Sequence, residues 1–167
     1  DLEVLTDPSY AGQAVVMTYP LIGNYGICYD DMESARPWPD GFIVRELSRL
    51  PSNFRCRDTI QNFLEKNDIP GICGIDTRAL TKILREKGTM NGMITTREYE
   101  NLEEPISRIK AYSVKGVVKA ASCKEKYVLE PADRKGQPPV CRVALLDLGA
   151  KKNIARSLAE RGCEVTV

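Results

Sequence analysis

The segment 68–92 constrains the fold most, because it carries signals for a strand, a helix start, a helix and a helix end in succession. The short apolar run 69–75 contains two glycines and predicts a buried strand that other backbone approaches closely. Asp76 follows, where an aspartate can accept hydrogen bonds from the unpaired N–H groups of a first helical turn. The segment therefore predicts a strand and then a helix capped by Asp76.

The helix predicted after Asp76 has a single apolar face. Leu80, Ile83 and Leu84 recur at helical spacing, and Gly88 is a typical residue just past a helix end. These features predict that the helix lies on a sheet. Asp76 could instead form an anion site with the nearby Arg78 and Arg85, but a cap is the more common role for an aspartate at this place.

Residues before this segment predict two strands, a long loop and a second helix. The strands are expected at 13–19, covered on both faces, and at 41–47, with the loop 20–40 between them. A loop of that length in a compact domain is usually functional. Asp58 is predicted to cap the helix, with Gln61 completing a capping box. Three apolar residues form its expected buried face: Ile60, Phe63 and Leu64.

Residues after the segment predict further short elements and then a βαβ unit. A strand is expected at 91–95, a helix at 105–111 starting near Glu103, and weak strand character at 124–130. The proline-containing stretch 131–140 lacks apolar periodicity and is predicted to be a linker. Beyond it, a strand, a helix and a second strand follow one another, which is typical of the start of a doubly wound parallel sheet.

Composition excludes several classes of function. The 167 residues contain 24 Lys and Arg against 23 Asp and Glu, so no net field favours nucleic acid or an anionic membrane. No apolar run approaches the ~18 residues that span a bilayer, which favours a cytoplasmic protein. Six scattered cysteines without any histidine make a zinc site improbable. Cys73, Cys141 and Cys163 are expected to be buried, reduced thiols, with disulfides as the alternative.

Several motifs resemble one protein family along nearly the whole chain. They are LTDPSY at 5–10, SNFR at 52–55, GIDTR at 74–78, LREKG at 84–88 and DLGAKKNI at 147–154. Together they resemble the small subunit of glutamine-dependent carbamoyl-phosphate synthetase. The resemblance implies an α/β fold in which a small mixed-sheet domain of the swivelling β/β/α type occupies residues 1–130. After the linker at 131–140, residues 141–167 would be the truncated, incomplete βαβ start of a class I glutamine amidotransferase domain.

The resemblance also implies a function. In the family, this subunit hydrolyses glutamine with a cysteine nucleophile, a histidine base and a glutamate, and supplies ammonia to a large subunit. The large subunit uses ATP and Mg to make carbamoyl phosphate from bicarbonate, for pyrimidine or arginine biosynthesis. This sequence has no histidine and no match to the family's nucleophile turn. The fragment itself is therefore expected to be noncatalytic, with no catalytic, substrate-binding or metal residue and no cofactor of its own.

Two alternatives remain open from the sequence. One is a noncatalytic interaction module that shares the first domain, and the other is a small nucleotide-binding protein. Gly149 follows a predicted strand, as in a dinucleotide-binding loop, but the other two glycines of that motif are missing. Lys151 and Lys152 at the start of the following helix could meet an anion or a partner, or could simply be solvated.

The large subunit is the expected partner, and the loop 20–40 is the candidate docking surface. Tyr25, Tyr29 and Trp38 are its candidate contact residues, because aromatic side chains recur as interface anchors. The alternative for Trp38 is that it packs over its own domain between Pro37 and Pro39.

Overall fold

The computed structural model describes residues 1–132 and 136–167, which form a mixed α/β fold with parallel sheets. The helices are α1 (Leu2–Thr6), α2 (Ile60–Lys66), α3 (Thr77–Lys87), α4 (Glu103–Ala111), α5 (Val117–Ala121) and α6 (Lys152–Glu160). The strands are β1 (Ala14–Val16), β2 (Leu21–Ile22), β3 (Gly41–Ile43), β4 (Glu46–Leu47), β5 (Gly71–Ile72), β6 (Val128–Leu129), β7 (Arg142–Ala144) and β8 (Glu164–Thr166).

The N-terminal sheet is parallel and has β3 at its centre. β1 lies on one side, with Val15 opposite Phe42, and β5 lies on the other, with Gly71 opposite Phe42. Phe42 is 1% exposed and occupies the middle of the larger core, which α1, α2 and the loop 20–40 help to close. That core consists of Leu2, Leu5, Ile22, Ile27, Phe42, Val44, Ile60, Phe63 and Leu64.

Two strand predictions are corrected here. The segment 41–47 forms two strands, because β3 pairs with β1 and β5 whereas β4 pairs in parallel with β2 in a separate two-stranded sheet. The strand predicted at 13–19 forms over Ala14–Val16, but it is not covered on both faces. It is an edge strand, with Ala14 exposed and Val15 half-buried. An apolar run alone does not reveal which strand is central.

Helix α2 buries the predicted residues but begins one residue later than expected. Thr59 is its cap, and its hydroxyl oxygen accepts a hydrogen bond from the Asn62 N–H at 3.1 Å. Asp58 instead accepts from the Thr59 N–H, and Gln61 donates to Glu65, so the predicted capping box is wrong. A threonine directly before the helix competes with an aspartate for the cap position, and local sequence cannot decide between them.

Helix α3 has the predicted ends but not the predicted burial. Asp76 accepts a hydrogen bond from the Ala79 N–H at 3.0 Å, which confirms the cap, and the helix ends before Gly88. However, Ile83 is 47% exposed, and Thr77 is the only residue of α3 that is fully buried. The apolar run 69–75 is also less buried than predicted. Only two of its residues pair with β3, at the edge of the sheet, and Ile72 is 38% exposed.

Between residues 88 and 127 the regular elements are two helices, α4 and α5, and the other residues are irregular. Helix α4 confirms the prediction of a helix starting near Glu103, and Pro105 lies in its first turn, where a missing N–H costs nothing. The strand predicted at 91–95 is wrong, because those residues pair with no other strand among the described residues. The Asn91 side chain instead donates to the carbonyl oxygens of Ile109 and Tyr112.

The C-terminal unit, residues 128–167 without 133–135, contains the predicted βαβ arrangement. β7 and β8 are parallel, with Val143 opposite Val165, and α6 connects them. β6 pairs antiparallel with β8, so this sheet begins two residues before the boundary expected at residue 130. Part of the predicted linker 131–140, residues 133–135, lies outside the described residues. The division into domains and the swivelling β/β/α type stay predictions.

The C-terminal unit contacts residues around helix α1 and the loop 20–40 at several points. The Lys151 Nζ lies 3.1 Å from both Glu3 Oε1 and Asp7 Oδ2, so its partners are carboxylates of this chain. The Lys152 N–H donates to the Glu33 carbonyl oxygen at 2.7 Å. Gly149 has a φ of 104°, and a Cβ at this position would lie 3.3 Å from the Pro8 Cβ. The glycine thus permits the close approach of Pro8 to this turn.

The six thiols are all free, but their burial differs from the prediction. Cys163 is buried as expected, whereas Cys73 and Cys141 are exposed. Cys73 follows the edge strand β5, and Cys141 directly precedes the edge strand β7, where neighbouring strands cover only one side. An apolar neighbourhood in the sequence therefore indicates burial poorly at the edge of a small sheet.

Candidate functional site

The loop 20–40 is ordered and contributes to the core. Ile22 and Ile27 are 1% and 0% exposed, and β2 within the loop pairs with β4. A short 3₁₀ helix spans Tyr29–Asp31. Because these buried residues hold the loop to the domain, its exposed side chains occupy defined positions.

A second segment, residues 48–58, lies directly beside this loop. The Ser52 N–H donates to the Asn24 carbonyl oxygen at 2.8 Å, and Ile27 forms a β-bridge with Asp58. Gly26 has a φ of 61°, and a Cβ there would collide with Cys56 Sγ. The close approach of the two segments therefore requires a glycine at this position.

Tyr29 is half exposed and is held by contacts to helix α2. Its ring centroid lies 6.4 Å from that of Phe63, and its hydroxyl donates to Asp58 Oδ2 at 3.4 Å. Lys66 donates to the same carboxylate oxygen at 2.6 Å. This hydrogen bond is the main reason that the pKa of Asp58 is below its ordinary value. The Tyr29 ring is thus fixed in place rather than freely mobile.

Trp38 lies inside its own domain. It is 9% exposed, its Nε1–H donates to Ser34 Oγ at 2.7 Å, and the Arg36 guanidinium lies 3.7 Å from its ring centroid. Ser34 in turn donates to the Thr6 carbonyl oxygen, which ties the indole to α1. The structure therefore matches the alternative in which Trp38 packs over its own domain, and little of the ring is open to a partner.

The two adjoining segments expose a group of large apolar side chains, so residues 48–58 extend the candidate docking surface predicted for the loop 20–40. Tyr25 is 73% exposed, Leu50 83% and Phe54 95%. Tyr25 was predicted from the sequence as a contact residue, whereas Leu50 and Phe54 were not. The available signal was a phenylalanine in a polar stretch without apolar periodicity, which no buried strand or helix face explains.

An ion pair stands beside the docking surface. The Arg55 guanidinium binds the Asp31 carboxylate through two hydrogen bonds, at 3.0 and 2.8 Å. The hydrogen bonds to Asp31 raise the pKa of Arg55 above its ordinary value. Because both side chains are about half exposed, the pair contributes little to stability. It places polar groups at the edge of an apolar patch.

A cleft of about 860 Å³ separates this region from helix α6. Its walls carry charges of both signs, including Glu33 and Asp31 on one side and Lys152 and Arg156 on the other. Glu33 Oε2 is buried there and has no hydrogen-bond partner among the described residues. The cleft offers polar contacts, and its walls include no nucleophile with an imidazole base, since the chain has no histidine.

Residues 1–132 and 136–167 contain no group of three or more Cys, Asp or Glu side chains placed to hold a metal ion. The helices in that described part are all too short or too polar to cross a bilayer. The sequence predicts no catalytic, substrate-binding or metal residue in this chain, and this stays a prediction.

The family model for the carbamoyl-phosphate synthase small chain, CPSase domain, matches residues 2–94. This match covers the N-terminal sheet, the docking surface and helix α3. The chain belongs to this family. The matched range ends before α4, so the family model does not extend to the C-terminal unit.

Curated small chains of carbamoyl phosphate synthase match farther along the sequence. The protein from Clostridium perfringens is 50% identical over 165 residues, which are 99% of this chain and 45% of that protein. The protein from Fusobacterium nucleatum is 45% identical over 99% of this chain and 44% of its own length. The protein from Bacillus caldolyticus is 43% identical over 99% of this chain and 43% of its own length. This family member thus spans a little under half the length of these relatives.

Proposed function

We propose that the chain is part of the small subunit of a glutamine-dependent carbamoyl-phosphate synthetase. In such an enzyme the small subunit hydrolyses glutamine and supplies ammonia to the large subunit, which makes carbamoyl phosphate from bicarbonate and ATP. The observation that carries this proposal is the identity of 43 to 50% with small chains over 99% of the chain. We place the enzyme in the cytoplasm, in pyrimidine or arginine biosynthesis.

Within that enzyme, we assign docking rather than chemistry to these 167 residues. A cysteine of ordinary acidity needs a base or a cationic neighbour to become a nucleophile at neutral pH. The chain supplies no histidine. Burial raises the pKa of the Cys123 thiol, and the hydrogen bond with Cys141 raises the pKa of the Cys163 thiol, in the opposite direction to activation. A glutamate-release assay on the purified chain is expected to detect no turnover.

We assign the contact with the large subunit to the docking surface. Interfaces concentrate their binding energy in a few large side chains that become fully desolvated, and a polar rim surrounds them. Phe54, Tyr25 and Leu50 provide exposed apolar area on backbone that the core holds in place, and the Asp31–Arg55 pair provides a polar edge. Tyr29, which is 46% exposed, adds to this surface.

Binding to the purified large subunit tests this assignment. Phe54→Ala and Tyr25→Ala are each expected to weaken binding about tenfold, equivalent to ~1.4 kcal/mol. Leu50→Ala has a matched control in Leu146→Ala, since both leucines are about four-fifths exposed and Leu146 lies in the C-terminal unit. Loss of affinity in Leu146→Ala but not in the other variants would place the contact elsewhere. Trp38→Ala is unsuitable, because Trp38 is buried and hydrogen-bonded.

The second candidate function is a noncatalytic interaction module that shares the first domain. The family match to residues 2–94, taken alone, fits this candidate as well as the first, because it covers only the N-terminal part of the chain. The coding sequence beyond Val167 discriminates between the two. A continuation that encodes a cysteine, histidine and glutamate set supports the synthetase subunit, and a stop codon there supports the module.

A further inference from the structure

Cys141 and Cys163 face each other across the start of two neighbouring parallel strands. Cys141 directly precedes β7, and Cys163 directly precedes β8. The register places Arg142 opposite Glu164, so one residue earlier it places the two cysteines opposite each other. Their Sγ atoms are 3.4 Å apart, and the Glu164 N–H donates to the Cys141 carbonyl oxygen at 3.0 Å.

This placement meets the geometric conditions for a disulfide. Neighbouring strands lie about 4.8 Å apart, within the Cα separation of roughly 4.4 to 6.8 Å that a disulfide bridges. The sulfur atoms already touch, and side-chain rotation can bring them to the bond length of about 2.05 Å. Among the described residues, these are the only two cysteine sulfurs within hydrogen-bonding distance of each other.

The two thiols differ in accessibility, which gives them different roles. Cys141 is exposed and can meet a solution oxidant, whereas Cys163 is 7% exposed and can be reached mainly through Cys141. The hydrogen bond with Cys141, together with burial, raises the pKa of the Cys163 thiol, so the buried thiol is the weaker first nucleophile. The other exposed thiol, Cys73, has no sulfur partner among the described residues.

We propose that Cys141 and Cys163 form a reversible thiol modification site that closes to a disulfide on reaction with a low-molecular-weight disulfide such as oxidised glutathione. The Cys141 thiolate attacks one sulfur of that disulfide, a mixed disulfide forms, and one small thiolate leaves. The Cys163 thiolate then attacks the Cys141 sulfur and expels the second. The protein dithiol loses two protons and two electrons, and the small disulfide is reduced to two thiols.

The bond would fasten the beginning of β7 to the beginning of β8 and close a loop that contains helix α6. Next to it, Arg142 Nε and Glu164 Oε1 already form an ion pair at 3.1 Å across the same two strands. Because a cross-link in this position restricts the unfolded chain, oxidation is expected to slow the opening of the C-terminal unit. The site is independent of the docking surface and of the function proposed above.

Peptide mapping after incubation with oxidised glutathione tests the proposal. Trypsin is expected to release peptide 136–142 linked to the peptide that begins at Gly162, and dithiothreitol is expected to separate them. In Cys163→Ser, Cys141 should remain as a mixed disulfide with glutathione. In Cys141→Ser, Cys163 should stay unmodified, because it is buried. The control Cys73→Ser should leave the linked peptides unchanged, and circular dichroism checks the fold of each variant.

Three results would overturn the proposal. The first is a stable mixed disulfide at Cys141 in the unmodified sequence, and the second is a link from Cys141 to a different cysteine. The third is that the peptides containing Cys141 and Cys163 remain unreacted while Cys73 is modified. As an independent readout, amide hydrogen exchange in β7 and β8 should slow several-fold on oxidation. Exchange that is equal in the reduced and oxidised chain would contradict the expected effect.

Discussion

The N-terminal sheet and the C-terminal sheet each contain three strands, yet they differ in how completely their apolar residues are covered. Around β3, the core contains nine buried residues and is closed by two helices and the loop 20–40. Around β8, the corresponding cluster has four buried residues, and α6 is the main helix on the sheet. Leu146 and Leu148, which follow β7, are 80% and 61% exposed.

The difference shows that strand pairing alone does not make a core. Both sheets contain parallel pairs with apolar residues in register, and each has one nearly unexposed central residue, Phe42 or Val165. What the N-terminal sheet has in addition is cover from segments distant in sequence. We therefore expect the N-terminal core to supply most of the stability of the chain and the C-terminal unit to open more readily.

The largest effect is expected for Phe42→Ala. Removing this fully buried ring from the central strand should lower the free energy of unfolding by about 3 to 5 kcal/mol. The protein loses the favourable free energy of burying the ring, and a cavity is left in the core. Chemical denaturation followed by circular dichroism measures this change. The matched control is Phe54→Ala, which removes a ring that is 95% exposed and should change stability by no more than about 0.5 kcal/mol.

A smaller effect is expected for Val165→Ala in the C-terminal unit. Two buried methyl groups are lost, which corresponds to roughly 2 kcal/mol. Hydrogen exchange should rise in β6, β7 and β8 and stay unchanged in β3. An equal rise in both sheets would mean that the two sheets unfold as one unit and that the comparison fails.

The smallest effect on stability concerns the contact between the two regions. Lys151→Ala removes the ion pairs to Glu3 and Asp7 and should cost at most about 1 kcal/mol at pH 7, since the lysine is one-third exposed. Lys152→Ala is the matched control, because its side chain is exposed and forms no ion pair among the described residues.

The same contact predicts a dependence on pH. Burial opposes ionisation of Asp7, but hydrogen bonds from Ser9 and Lys151 prevail and lower the pKa of its carboxyl below the ordinary 3.8. A lowered pKa stabilises the fold above the unfolded-state value, and this contribution is lost as the pH falls through the folded-state value. The free energy of unfolding of Lys151→Ala should therefore be measured against that of the unmodified sequence at pH 7 and at pH 3. The difference between the two proteins should be smaller at pH 3. A constant difference would contradict the assignment.

Local features were predictable from the sequence because their signals are local. The cap at Asp76, the end of α3 before Gly88 and the buried face of α2 each depend on residues within one or two helical turns. The βαβ order at the C-terminus follows from alternating apolar patterns. These predictions required no knowledge of which segments meet in space.

Features that depend on distant segments were not predictable in the same way. Strand 41–47 divides because β4 pairs with β2, and β1 is an edge because no further strand pairs with it among the described residues. Trp38 is buried because its indole N–H donates to Ser34, which in turn donates to a carbonyl oxygen of α1. Phe54 is exposed because residues 48–58 lie on the outside of the loop. The aromatic residue type indicated an interface but could not separate buried rings from exposed ones.

Hydrogen exchange with and without the large synthetase subunit tests the central claim most directly. If the docking surface binds that subunit, amides in 22–31 and 48–58 should become protected on binding, while β7, α6 and β8 change little. With the large subunit at a concentration close to the Kd of the unmodified chain, Phe54→Ala should remove most of that protection without altering exchange in β3. Protection that appears in the C-terminal unit and leaves 22–31 and 48–58 unchanged would contradict the assignment of docking to the N-terminal region.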